Sequence, residues 1–212
     1  MNKTNRYRHC ARTAAFAAVL TVLAFASCRV PKADPFDTMK KKYGNESTES
    51  LSSWYERTAG VKLAVKGIVL EVDQNGVKNL RDRIHADYSD VMPFRIAKNY
   101  GEGGKKDMLA VIASMDQFEL VRLLQTRGVD DKVTNGEIVK ALKEINSLAR
   151  INIVGAGADF VEFSFLSTPS DWNAVARKCA EISPNMITFG TGSLAALERE
   201  IMQFNGAILW WY

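Results

Sequence analysis

From residue 61 onward, short apolar runs of strand length alternate with stretches whose apolar residues recur every three or four positions. That interleaving constrains the fold more than any other feature of the chain, because the two periods belong to different backbones. Residues 67–72 (GIVLEV), 92–97 and 108–113 (MLAVIA) read as strands. Residues 76–86 place Val77, Leu80 and Ile84 at helical spacing. Asp116 caps a helix running to about Gln125, and Thr134 caps one running to Arg150 with Glu137 at the capping-box position. Residues 151–154 and 160–165 form a hairpin over the turn 155–158. Asp171 opens a helix to Ile182, residues 186–189 form a short strand, Ser193 caps a helix to Phe204, and 206–212 is a terminal strand. Helices and strands interleaved with a hairpin give a single α+β domain over 61–212, its sheet mixed, partly antiparallel and flanked by helices.

Residues 1–27 are of a different kind. They hold Lys3, Arg6, Arg8 and Arg12, no acid, and an uncharged apolar run over 13–26. The run is shorter than the roughly 20 residues a membrane span needs, and the three-part form is that of a signal peptide over 1–27. The chain carries 28 Lys plus Arg and 24 Asp plus Glu, so its whole positive surplus lies in these four residues. A basic nucleic-acid surface is therefore not expected. Phe25-Ala26-Ser27-Cys28 reads as a bacterial lipobox, with Phe where Leu is usual, making Cys28 the lipidation site. Ala24-Phe25-Ala26 also suits ordinary signal peptidase, and an uncleaved anchor is the third reading. Lipidation is the favoured one. It implies an exported, lipid-anchored protein of the bacterial cell envelope, facing the periplasm or on the outer membrane, with the membrane as its first partner. Residues 28–60, with Pro31, Pro35, Lys40 to Lys42 and a polar cluster at 45–50, read as a solvated tether ending in a short helix near 49–58. Cys10 leaves with the leader and Cys28 carries lipid, so only Cys179 remains and no intrachain disulfide is available.

Chemistry-bearing motifs are sparse. Gly190 and Gly192 with Ala195 make a G-x-G-x-x-A, but the acid expected about 20 residues on falls at Tyr212. A structural turn is the default and no nucleotide is expected, although the helix start at Ser193 could take an anion. The glycine-rich segment 100–107 lacks the hydroxyl of a phosphate loop. Cys179 shares a helical stripe with Trp172, Val175, Ala176 and Ile182, the pattern of an inert core thiol. His85 is the one histidine after the leader, so a Cys/His zinc site or a nucleophile pair is hard to build. No cofactor and no metal are expected.

In the C-terminal half, the stretch from Ile153 to Glu162 (IVGAGADFVE) is followed by Pro169, an Ala-rich helix at 174–181, Ser183-Pro184-Asn185, Gly190-Thr191-Gly192 and Trp210-Trp211. This order resembles the bacterial domain-of-unknown-function family 4253 over about 108–212. The resemblance implies an arrangement and no activity. Ser183-Pro184-Asn185 stands where that family has Cys-Pro-Asp, Phe189-Gly190 where it has Gln-Gly, and Trp210-Trp211-Tyr212 where it has Trp-Trp-Asp. Either a polar site of the family is lost here, or the motif is one of packing and turns. Both readings lower the odds of catalysis.

Asp159 and Glu162 are the retained catalytic candidates. Strand alternation sends them to opposite faces if both lie in the strand, which suits a two-carboxylate mechanism poorly. Trp210 and Trp211 are the best binding lead, one face of that strand being core and the other open to a partner. The expectation is an envelope protein whose domain binds a protein or another envelope component. The alternatives are a hydrolase or transferase using Asp159, Glu162 or Asp171, and an immunity-type protein that neutralises a toxin.

Overall fold

The computed structural model of the chain describes residues 34–97, 106–128 and 132–211. The leader with Cys28, most of the glycine-rich segment and Tyr212 lie outside the described residues. The element order is α1 (Pro35–Tyr43), β1 (Glu49–Ser50), α2 (Leu51–Ala59), β2 (Gly67–Val72), α3 (Val77–Asp87), β3 (Val91–Ala97), β4 (Asp107–Ala113), α4 (Gln117–Leu123), α5 (Asn135–Leu148), β5 (Ile151–Ala156), β6 (Phe160–Phe165), α6 (Trp172–Ile182), a π-helical turn (Met186–Thr191), α7 (Leu194–Phe204) and β7 (Gly206–Trp210). The strands form one seven-stranded sheet in the order β1-β2-β4-β3-β5-β6-β7. Every neighbouring pair is antiparallel except β3 and β5. The expected α+β class with a mixed sheet is what the chain adopts.

Local chemistry fixes the helix starts. Asp116 accepts from the Phe118 and Glu119 amides at 2.9 and 3.2 Å. Thr134 and Glu137 close a reciprocal capping box. Asp171 accepts from Ala174 N–H at 2.9 Å and Ser193 from Ala196 N–H at 3.3 Å.

The two faces of the sheet are covered unequally. Side chains of α2 and α4 to α7 pack with Phe94, Ile112, Val161, Phe163 and Leu209 in the larger core. The opposite face carries a smaller core, in which Met39 of α1 and Val77 and Ile84 of α3 cover Leu70, Leu109 and Val111. That second layer lies over β2, β4 and β3. Over β5 to β7 the same face leaves Asn152 exposed, and Phe160, Glu162, Ser164, Ile208 and Trp210 half-buried.

Two expectations are corrected. The solvated tether over 28–60 is instead folded from Asp34 on. Met39 and Leu51 are fully buried, Tyr55 nearly so, and Ser50 caps α2 by accepting from Ser53 N–H at 3.1 Å. Leu51, Trp54 and Tyr55 sit at helical spacing, an apolar stripe that the surrounding Lys, Ser and Glu mask in a composition-level reading. The strand expected at 186–189 is a π-helical turn. Immediately after Pro184 the chain closes on itself, with Met186 N–H donating to Ser183 C=O at 3.1 Å and Ile187 N–H to Pro184 C=O at 3.0 Å. Proline's fixed φ favours such a helical start.

Candidate functional site

β3 and β5 are parallel, and β5 and β7 each run antiparallel to β6, so β3, β5 and β7 point the same way. Their carboxyl ends share one rim of the sheet. A cleft of about 1250 Å³ opens there and continues over β6 and β7. Trp54 and Tyr55 of α2 wall one end, Arg127 and Asp159 the rim, and Phe160, Phe189, Phe204 and Trp210 the remainder. The volume exceeds the usual range of a small-molecule pocket, up to about 1,000 Å³, so the shape is a groove rather than a socket.

Asp159 and Glu162 both line this cleft. The alternation argument that separates them does not apply, because β6 begins at Phe160 and Asp159 belongs to the turn before it. The Asp159 carbonyl accepts from Trp211 N–H at 3.0 Å, which fixes the turn against the end of β7. Asp159 is exposed as a residue, yet protein crowds one side of its carboxyl, and that desolvation pushes its pKa above the ordinary aspartate value. Tyr55 donates its hydroxyl to the Leu124 carbonyl. Burial pushes its phenol well up, and the negative charge of Asp159 adds to the effect, so Tyr55 is a neutral strut.

Glu162 is held differently. Its Oε2 accepts from Arg95 Nη1 at 2.8 Å, and Arg95 Nε lies 3.3 Å from Oδ2 of the fully buried Asp107. The three side chains form a row across β4, β3 and β6. β5 lies beneath the row, with Gly155 facing both Arg95 and Glu162 in register. A Cβ at Gly155 would stand 3.1 Å from Glu162 Oε2 and 3.3 Å from Arg95 Cβ. The first glycine of the GAG stretch is therefore the residue that lets the ion pair pass over its strand. Arg95 was not among the sequence candidates. Its signal was a lone charge inside the otherwise apolar run 91–97.

The C-terminal candidates are tied into one construction. Ser183 Oγ donates to Trp210 C=O at 2.8 Å and accepts from Trp210 N–H at 3.2 Å, satisfying the outer edge of β7. Trp211 is buried, and its indole N–H donates to Ile182 C=O at 2.7 Å. A Cβ at Gly190 would meet the Trp210 ring at 3.2 Å, and Gly192 ends the π turn with φ of 75°, in the left-handed region. Ser183, Gly190, Gly192 and Ser193 thus seat Trp210 and start α7. Trp210 lines the cleft with its ring, whereas Trp211 belongs mainly to the core.

Other candidates lie apart. Cys179 is fully buried among apolar neighbours, which pushes its thiol up to about 12. His85 is exposed on α3, in the layer beyond the opposite face. Asp171 caps α6. Among the described residues no three or more His, Cys, Asp or Glu side chains are grouped to hold a metal ion, and no helix is long and apolar enough to cross a membrane.

Neither a curated protein nor a solved structure matches the chain. The Asp159 turn, the Ser183 clamp on Trp210, and Gly155 and Glu162 of the ion-pair crossing fall between Met108 and the last residue, whereas Arg95 and Asp107 precede it. Over that stretch, residues 108–212, the chain matches the family model described as a domain of unknown function, DUF4253.

Proposed function

We propose that the chain is a lipid-anchored protein of the bacterial cell envelope whose α+β domain is a binding module, with the aromatic-walled cleft as its binding site. One observation carries the binding half of the reading. Trp54, Phe160, Phe189 and Trp210 line a single groove with Asp159 at its rim, and the groove runs on to Glu162, Ser164 and Ile208, where the sheet lacks its second layer. Phe189 and Phe204 are 71% and 70% exposed, a heavy apolar exposure for two side chains flanking one edge strand. The leader ending in Cys28 supports the location half.

Two measurements test it. Cells fed radiolabelled palmitate incorporate label into the wild-type chain and not into Cys28→Ser; label in both, or in neither, overturns the anchor. A photo-crosslinking residue at position 189 yields a discrete adduct in living cells, whereas one at Lys140, exposed on α5, yields none. Equal adducts at both positions overturn the cleft as the site.

A second reading has its own observation. Asp159 and Glu162 share a cleft with Arg127, the gathering of groups that a hydrolase or transferase needs. Glu162 is committed to Arg95, so Asp159 would act as the general acid or base. Turnover in a hydrolase panel that vanishes in Asp159→Ala would favour this reading over the first.

A further inference from the structure

Beyond Cys28 the chain has a local surplus of positive charge beside the site of the proposed lipid. Arg29, Lys32, Lys40, Lys41 and Lys42 against Asp34 and Asp37 leave residues 29–43 with three surplus positive charges. Four of the 28 basic residues and none of the 24 acidic ones precede Cys28, so everything beyond Tyr43 carries three surplus negative charges. The domain is neutral in total and polar in distribution.

α1 presents this charge outward. Met39 is fully buried, and Phe36 and Tyr43 rest against the smaller core, which leaves Lys40, Lys41 and Lys42 exposed. α3 extends the surface. Lys42 Nζ is 2.6 Å from Asp87 Oδ2, Tyr43 donates to the same carboxylate, and the Arg83 guanidinium stands 5.3 Å from the Tyr43 ring centre. One or two lysines in the last turn of a helix suit its dipole. That preference does not account for Arg29 and Lys32 before the helix or for Arg83 on its neighbour.

We infer that the outer side of α1, together with Arg83 of α3, is a docking surface for the anionic phospholipid bilayer that holds the lipid on Cys28. The inference rests on the lipid-anchor reading above. Five residues separate Cys28 from Asp34, at most about 20 Å of extended chain, so an anchored domain cannot leave the headgroup layer. Each Lys or Arg at an anionic surface strengthens attachment about fivefold. Binding through α1 and α3 uses the layer over β2, β4 and β3, on the same face of the sheet that is left open over β5 to β7.

The test uses the full-length lipidated protein, reconstituted in phosphatidylcholine vesicles with or without phosphatidylglycerol, with lysine acylation rates read by mass spectrometry. On anionic vesicles Lys40 and Lys41 slow at least about fivefold, and the protection disappears near 1 M salt, where the Debye length is about 3 Å. Lys140 and Lys143, exposed on α5, keep one rate throughout. Equal rates at Lys40 and Lys41 on both vesicles, or equal slowing of Lys140, overturn the docking surface. So does equal protection by inorganic phosphate or duplex DNA. In Lys40→Gln/Lys41→Gln, hydrogen exchange of α1 loses its dependence on lipid charge while palmitate labelling persists. Failure of the anchor reading is seen separately, as absence of palmitate on Cys28. The detergent-purified full chain mixed with the same vesicles then still decides the docking question.

Discussion

The sheet is one hydrogen-bonded structure with two unlike halves. Around β2, β4 and β3 it is sandwiched, with α1 and α3 on one face and α2, α4 and α5 helping to cover the other. Around β5, β6 and β7 one face is packed by α5 to α7 and the other has no helix among the described residues. The first half buries Leu70, Leu109 and Val111 completely or nearly so; the second leaves Phe160, Ile208 and Trp210 half-open. Apolar surface left uncovered forfeits about 25 cal/mol per Å² of burial, so an uncovered half-sheet is costly unless something else occupies it. The difference teaches where to look for a ligand, and β5 to β7 of the open half all lie within the residues that the family match spans.

Arg95 stands where the halves meet, and removing it has the largest expected effect. Arg95→Met takes the cation away from fully buried Asp107 and from Glu162, a break of the kind that costs about 3–5 kcal/mol. Calorimetry should show one transition moved to lower temperature. Two resolved transitions would mean that the halves fold as separate units, and the comparison would then describe two domains.

Next in size is a pair of substitutions that measures the asymmetry directly. Leu109→Ala, under α1 and α3, should cost about 2–5 kcal/mol, as fully buried leucines do. Ile208→Ala, on the uncovered face, should cost under about 1 kcal/mol, because the side chain has little packing to lose. Equal losses in urea melts would mean that the open face is already covered in solution.

The strands from β2 on and the helices from α3 on were largely legible in the sequence, since period-2 and period-3.6 patterns report burial and every predicted cap is a side chain bonding within three residues of itself, whereas α1 and β1 were read as tether. The parts that were not legible depend on distant partners. Nothing near Arg95 in the chain shows that Asp107 and Glu162 flank it. The polar surroundings of Trp54 and Tyr55 hide that these two wall a cleft whose rim lies about a hundred residues on. That Asp159 and Glu162 line one cleft was hidden, because opposite faces follow only if both lie in the strand, and the strand start at Phe160 is a boundary that spacing does not fix to one residue. Gly155 and Gly190 were visible as glycines, yet only the Arg95–Glu162 pair and the Trp210 ring explain them.

A smaller effect tests whether Ser183 is a clamp or the remnant of a polar site. Ser183→Ala removes both bonds to the Trp210 backbone and should cost about 1–2 kcal/mol, from an outer edge otherwise left without its partner. Ser183→Cys, the residue that the resemblance places here, should recover part of the loss, since a thiol donates and accepts weakly. Crosslinking from position 189 should weaken in the Ala variant and return in the Cys variant, because the Trp210 ring packs at Gly190 beside it. A fully stable Ala variant would make the hydroxyl dispensable to the edge of β7.

The smallest effect concerns Asp159 and carries a sign. Desolvation raises its pKa in the folded protein above the unfolded value, so folding favours the protonated carboxyl. Its contribution to stability is fully present below the unfolded value, near 3.9, and is lost as pH rises through the higher folded value. At neutral pH the ionised group therefore opposes folding. Asp159→Asn keeps the shape and removes the charge, so its urea midpoint should lie above wild type at pH 7 and meet or fall below it at pH 3. The opposite trend, with Asn weaker at pH 7 and equal at pH 3, would mean that a cation in the fold already holds the carboxylate. A charge kept at the rim of an aromatic groove against the interest of stability is what a binding residue looks like before its ligand arrives.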